Sequence, residues 1–327
     1  MRYLVTGGAG FIGSHLTDAL VDRGDSVLVL DDLSTGRREN LESALETGSV
    51  EFVEGSILDP SLVDDCVAAT DVCLHLAAAV GVELILEKPL ESLLCNVRGS
   101  DNVISSVAKR NKTVLIVSSS EVYGKNSVGP LAETADRILG PPSTARWAYS
   151  TAKSFSEALA SAYQYELGTK TIGVRLFNTV GPRQSDAYGM VLPRLVRQAV
   201  SNEELTVYGD GTQTRCFAHV ADVVDAMMLL CDDDGALGRT FNIGSPQKIS
   251  ILELAQRVID RAASGSDIRL VLYEDAYGPG FEEIGSRHPD LTVIDSVTGW
   301  AAIRTIDDMI DDVIVDQAGR VAANEAA

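Results

Sequence analysis

Through the first 180 residues, short apolar runs alternate with longer stretches whose apolar positions recur every three or four residues. The short runs cover 2–6, 26–31, 50–54, 71–76, 113–118 and 170–176, and their length and composition predict strands. The stretches at 11–23, 89–109 and 149–167 have helical periodicity. Such alternation predicts βαβ units, and so an α/β fold with a doubly wound parallel sheet covered by helices on both faces. Past residue 178 the rhythm loosens, and 181–189, 208–215 and 273–289 read as loops. The expected organisation is a first domain over 1–178, with 218–244 returning to it, and a smaller α/β lobe from 179–217 and 245–315. Residues 316–327 are small and polar and are expected to form a disordered tail.

The first strand leads directly into Val5-Thr6-Gly7-Gly8-Ala9-Gly10-Phe11-Ile12-Gly13. Between a strand and a helix, Gly7, Gly10 and Gly13 permit a tight turn and let a pyrophosphate approach the helix N–H groups, with Phe11 and Ile12 in the same turn. This predicts a Rossmann dinucleotide site. Asp31 ends the second strand, where an acid accepts hydrogen bonds from ribose hydroxyls and repels a 2′-phosphate. NAD is therefore expected over NADP, with Arg37 and Arg38 nearby as the opposing feature. Asp59 follows the third strand and suits either an adenine contact or a helix N-cap before Pro60, and the two are compatible. Leu76, Ala77 and Ala78 end the fourth strand where backbone is expected to pass close to the cofactor.

Composition narrows the partners. The 327 residues carry a formal net charge of −20, which disfavours nucleic acid and anionic membrane surfaces. The five cysteines form no CxxC or Cys/His cluster, so reduced thiols and no metal are expected. No run reaches the roughly 18 apolar residues of a membrane span, and the glycine-broken start does not read as a signal peptide. A cytoplasmic location is expected.

The chemistry points to Tyr149-Ser150-Thr151-Ala152-Lys153, which sets Tyr149 and Lys153 one helical turn apart on one face. A phenol with an ordinary pKa of about 10 is a poor base at neutral pH. A lysine ammonium one turn away, near an oxidised nicotinamide, is expected to lower that value, so that Tyr149 takes a proton from a substrate hydroxyl. The fifth strand ends in Ser118-Ser119-Ser120, and Ser119 is the expected partner of the reacting oxygen.

These features together resemble the extended short-chain dehydrogenase/reductases, and in particular their nucleotide-sugar branch. The carriers are TGGAGFIG at 6–13, HLAA at 75–78, YSTAK at 149–153, RLFNTVGPRQ at 175–184 and LTVYGDGTQTRCF at 205–217. The resemblance implies bound NAD, with Tyr149 and Lys153 also contacting it, and a UDP-sugar substrate held by Glu83, Ser119, Asn178, Arg183, Tyr208, Arg215 and Arg287. It also implies a homodimer formed through the helices at 89–109 and 149–167.

Within that branch, Ser118-Ser119-Ser120-Glu121-Val122-Tyr123-Gly124 and the segment 277–289 are most similar to UDP-glucuronate decarboxylases. That similarity adds Glu121 and Arg287 to the catalytic set of Tyr149, Lys153 and Ser119. It implies oxidation at C4 followed by loss of the C5 carboxylate, giving UDP-xylose or UDP-4-keto-xylose. The alternative is a UDP-hexose or UDP-uronate 4-epimerase using the same Tyr149 and NAD. Ser119 in place of the usual Thr, His288 in place of Lys and Leu84 in place of Tyr are departures that affect substrate detail.

Overall fold

The computed structural model describes residues 1–80, 88–142, 144, 146–186, 190–277 and 286–326. All six apolar runs are strands: β1 (Arg2–Thr6), β2 (Ser26–Asp31), β3 (Val50–Glu54), β4 (Val72–His75), β5 (Thr113–Ser119) and β6 (Lys170–Leu176). A seventh, β7 (Arg239–Ile243), pairs with β6 and brings the chain back to the sheet. The order is β7-β6-β5-β4-β1-β2-β3, with every pair parallel. The chain winds outward from β1 to β3 and then returns to β4. The crevice beyond the carboxyl ends of β1 and β4 is thus the topological switch point, where sheets of this kind bind ligands.

The longer helices are α1 (Phe11–Asp22), α2 (Pro60–Ala68), α3 (Pro89–Lys109), α4 (Arg146–Leu167), α5 (Val191–Val200), α6 (Val220–Asp232), α7 (Ile251–Ala262) and α8 (Ile306–Ala326). On one face of the sheet, Leu16, Leu20, Val223, Met227 and Leu230 of α1 and α6 join Val5, Val29, Leu74 and Leu115 in one buried cluster. On the other, Val63, Val67, Val103, Ile104, Val107 and Ala160 of α2, α3 and α4 cluster with Leu4, Leu28, Val114 and Ile116. Neighbouring strand residues such as Leu4 and Val5 bury into opposite clusters. That two-sided burial is why the strands read as unbroken apolar runs. Helices α3 and α4 meet through small side chains, with the Ser156 hydroxyl donating to that of Ser100 at 3.1 Å.

A second core lies outside the sheet. It joins Leu192, Leu195 and Val196 of α5, Leu254 and Val258 of α7, and Met309, Ile310 and Val313 of α8. Two short ladders accompany it: Leu205–Tyr208 runs parallel to Ile268–Val271, and Thr214–Cys216 antiparallel to Lys248–Ser250. The tail expected to be disordered instead continues α8 to Ala326. Its anchor is physical: Gln317 is buried, and Asp316 accepts the Arg183 amide at 3.1 Å and pairs with Arg320.

Candidate active site

The glycine turn closes tightly on itself. Gly7 has φ +72°, and a Cβ there would lie 2.7 Å from the Ala77 nitrogen. A Cβ on Gly13 would lie 2.1 Å from the Gly7 carbonyl oxygen. Gly10 is the N-cap of α1 and offers no side-chain partner, so the first helical N–H groups are left for a ligand. Asp31 is buried, and its carboxylate accepts from the amides of Ala9 and Leu33, both at 2.9 Å. Burial raises its pKa, and those amides oppose the rise. Asp59 caps α2, taking the amides of Ser61 and Leu62 on one oxygen. Leu76, Ala77 and Ala78 follow β4, and the Ala77 amide donates to the Thr6 hydroxyl at 3.2 Å. Thr6 and Ser100 in turn hold the two ring nitrogens of buried His75, at 2.8 and 3.1 Å.

Tyr149 and Lys153 project from α4, and Lys153 is buried with its Nζ 5.9 Å from the centre of the Tyr149 ring. Its ammonium donates to the Val117 carbonyl at 2.8 Å, and burial lowers its pKa to about 8. Tyr149 is hydrogen-bonded to the Ser119 side chain. The protein's own groups do not lower its pKa. Burial raises it, the Glu121 charge raises it further, and Ser119 opposes both. The reason is geometric: the spacing sets Lys153 on the right face, but its ammonium turns to the sheet rather than to the phenol.

Glu121 lies in the turn after β5, where its amide donates to the Ser119 hydroxyl at 3.2 Å and its carbonyl accepts from Ser150 at 2.6 Å. From the far end of the chain, buried Arg287 pairs with the Glu121 carboxylate through Nη1. Its Nε and Nη2 are buried with no hydrogen-bond partner among the described residues. The structure therefore brings Ser119, Glu121, Tyr149 and Arg287 together.

The other predicted binders lie along an adjoining edge. Asn178 adopts a left-handed φ of 27°, and its amide donates to the Cys216 carbonyl at 3.0 Å. Arg215 donates to the Thr214 carbonyl at 2.8 Å, and Thr214 bridges to Ser286 beside Arg287. Tyr208 carries the Arg194 guanidinium 4.1 Å above its ring. Arg183 is committed elsewhere: its guanidinium pairs with Asp18 of α1 at 2.7 Å. Glu83 lies outside the described residues, as do residues 278–285.

The sequence reading missed a buried polar network behind this site. Arg175 of β6 forks onto Glu157 of α4, through Nε at 2.9 Å and Nη2 at 2.8 Å, and its Nη1 donates to the Tyr123 hydroxyl at 2.9 Å. Tyr123 donates to the side-chain oxygen of Asn242 at 2.7 Å. Glu157 stands one turn beyond Lys153 on the face that carries Tyr149, and that spacing was the one signal available.

The sequence profile of the NAD dependent epimerase/dehydratase family matches residues 3–244. The chain belongs to that family. A UDP-N-acetyl-alpha-D-glucosaminuronate decarboxylase from Bacillus cytotoxicus is 41% identical over 292 residues, 89% of each chain. UDP-glucuronic acid decarboxylase 1 of Xenopus tropicalis is 30% identical over 313 residues, 96% of this chain and 71% of the relative. The solved UDP-glucose 4-epimerase of Thermotoga maritima, with UDP-glucose, superposes with a TM-score of 0.86 at 26% identity, covering 98% of this chain and 100% of that one. NAD is the cofactor of the epimerase/dehydratase family, and the cradle here fits it: a turn in which a Cβ on Gly7 or Gly13 would clash, uncapped α1 amides and an acid at Asp31. Among the described residues no cluster of His, Cys, Asp or Glu suits a metal, and no helix is long and apolar enough to cross a membrane.

Proposed function

We propose that the protein is an NAD-dependent decarboxylase of UDP-linked glucuronate-type sugars. The observation that carries this is Arg287, buried, paired with the Glu121 carboxylate, and with Nε and Nη2 from which no described residue accepts; Glu121 in turn faces Tyr149, which is bonded to Ser119. A planar guanidinium fork matches a carboxylate in two parallel hydrogen bonds. A neutral hexose offers no such group.

NAD, when bound, supplies reversible hydride exchange at C4 and a positive charge near Tyr149. Tyr149 takes the C4 hydroxyl proton, and Ser119 holds the same oxygen. The C4 ketone makes the sugar a β-keto acid, whose C5–carboxylate bond breaks to release carbon dioxide and leave an enolate. Arg287 offers its N–H groups to the carboxylate and then to the enolate charge, and Glu121 keeps the carboxylate ground state from being held too well. Protonation at C5 gives UDP-4-keto-xylose, and reduction at C4 gives UDP-xylose. The sugar nucleotide lies along Asn178 of the first domain and Tyr208 and Arg215 of a lobe built from 179–217 and 245–315. Through α3 and α4, the latter with Phe155 exposed, the protein forms a cytoplasmic homodimer. Sedimentation checks that assembly.

The 41% identity to a decarboxylase of a 2-acetamido sugar favours a second substrate, UDP-N-acetylglucosaminuronate. One assay decides among the readings. The protein is incubated with NAD and each UDP-uronate, and products are identified by NMR and mass. Loss of carbon dioxide is expected, whereas an intact carboxylate with inversion at C4 means a 4-epimerase. Glu121→Gln is expected to slow decarboxylation by about 100-fold, and parental turnover would remove its role.

A further inference from the structure

Glu121 and Arg287 lie 166 residues apart, yet their carboxylate and guanidinium are paired. Something must hold their two backbones in register. Arg287 sits in a segment tied to residue 131: the Leu131 amide donates to the His288 carbonyl at 2.7 Å, and the Asp290 amide to the Leu131 carbonyl at 3.0 Å. Asn242, fully buried at the sheet edge, joins that segment to the turn bearing Glu121. Its amide nitrogen donates to the carbonyls of Leu131 at 2.8 Å and Asp290 at 3.1 Å. Its side-chain oxygen accepts from Tyr123, two residues after Glu121. Its own backbone amide donates to Glu133 at 2.8 Å.

We propose that Asn242 is a positioning residue that sets Arg287 against Glu121, and so determines the site's preference for a carboxylate over a neutral sugar. The inference rests on the decarboxylase reading for its choice of ligand. Both amide hydrogens and the oxygen are used, one toward each segment, so no apolar residue of similar size does the same work. Arg175 holds the Tyr123 hydroxyl from behind and is itself locked by Glu157, which leaves Asn242 as the joint between two rigid parts. A displacement of about 1 Å at such a joint costs on the order of 100-fold in rate.

The test compares Asn242→Ala and the milder Tyr123→Phe with the parent. Affinities for UDP-glucuronate, UDP-glucose and NAD are measured by calorimetry, with turnover of UDP-glucuronate alongside. Asn242→Ala is expected to weaken UDP-glucuronate about tenfold and to lower turnover about 100-fold. UDP-glucose and NAD affinities stay at parental values. Tyr123→Phe moves the same way by about threefold and serves where Asn242→Ala does not fold. Equal weakening of both UDP-sugars means a merely structural role and overturns the inference, as does an unchanged ratio of their affinities. A parent that decarboxylates no UDP-uronate overturns the functional reading instead, and the affinity ratio alone then decides the role of Asn242.

Discussion

Lys153 is the site's costliest residue, and its cost has a measurable pH signature. Its ammonium is buried, keeps one hydrogen bond to Val117, and has its pKa lowered from 10.5 to about 8. At about 1.4 kcal/mol per pH unit, the charged form is about 3 kcal/mol less favourable in the fold than in water. The folded pKa is below the unfolded one. Below pH 8 both states are protonated and the full cost is present. Between pH 8 and 10.5 the unfolded chain binds the extra proton, so stability rises with pH across that window. Lys153→Met removes the charge but leaves the Val117 carbonyl without this donor, a loss of about 1–2 kcal/mol. The variant is therefore expected to be about 1–2 kcal/mol more stable than the parent at pH 7, and less stable by a similar amount near pH 10.5. Urea unfolding of both proteins at the two pH values reads the crossover, and turnover is lost at each. A variant destabilised equally at both values would refute the reasoning.

Three further outcomes follow from the geometry. Gly13→Ala drives a Cβ into the Gly7 carbonyl and is expected to abolish NAD binding and to destabilise the fold by on the order of 3 kcal/mol, read by calorimetry and thermal unfolding. His75 is buried and its pKa is pushed down to about 3, so stability present above pH 6.5 is lost as pH falls through that window. The full loss is on the order of 4–5 kcal/mol by pH 3, and His75→Asn should flatten the acid limb of the unfolding profile. Asp31→Asn removes the charge that repels a 2′-phosphate, and the NAD-to-NADP affinity ratio is expected to fall by about tenfold or more.

The sheet was legible because its strands are buried on both faces and announce themselves as apolar runs. The cradle was legible because glycine has few other reasons to recur at 7, 10 and 13 between a strand and a helix. Tyr149 and Lys153 could be placed on one face by spacing, but spacing does not say where a four-carbon side chain ends. The protein's own groups therefore raise the phenol's pKa, and the expected lowering falls to the nicotinamide. The network of Arg175, Glu157, Tyr123 and Asn242 was hard to see because each pair is far apart in sequence, and only the one-turn spacing of Glu157 from Lys153 hinted at it. The tail misled for a related reason: residues 316–320 are small or polar, and their partners at 183 and 184 lie across the fold.

The Arg287 nitrogens Nε and Nη2, to which no described residue offers an acceptor, have a consequence for how affinity arises. A buried donor with no acceptor costs a folded protein about 1–3 kcal/mol. At Nε and Nη2 of Arg287 that cost applies wherever neither protein nor water supplies an acceptor. A ligand anion that satisfies both donors recovers that free energy on binding, and one that lacks an acceptor there does not. Selectivity for an anionic sugar is in this sense built into where the fold holds Arg287.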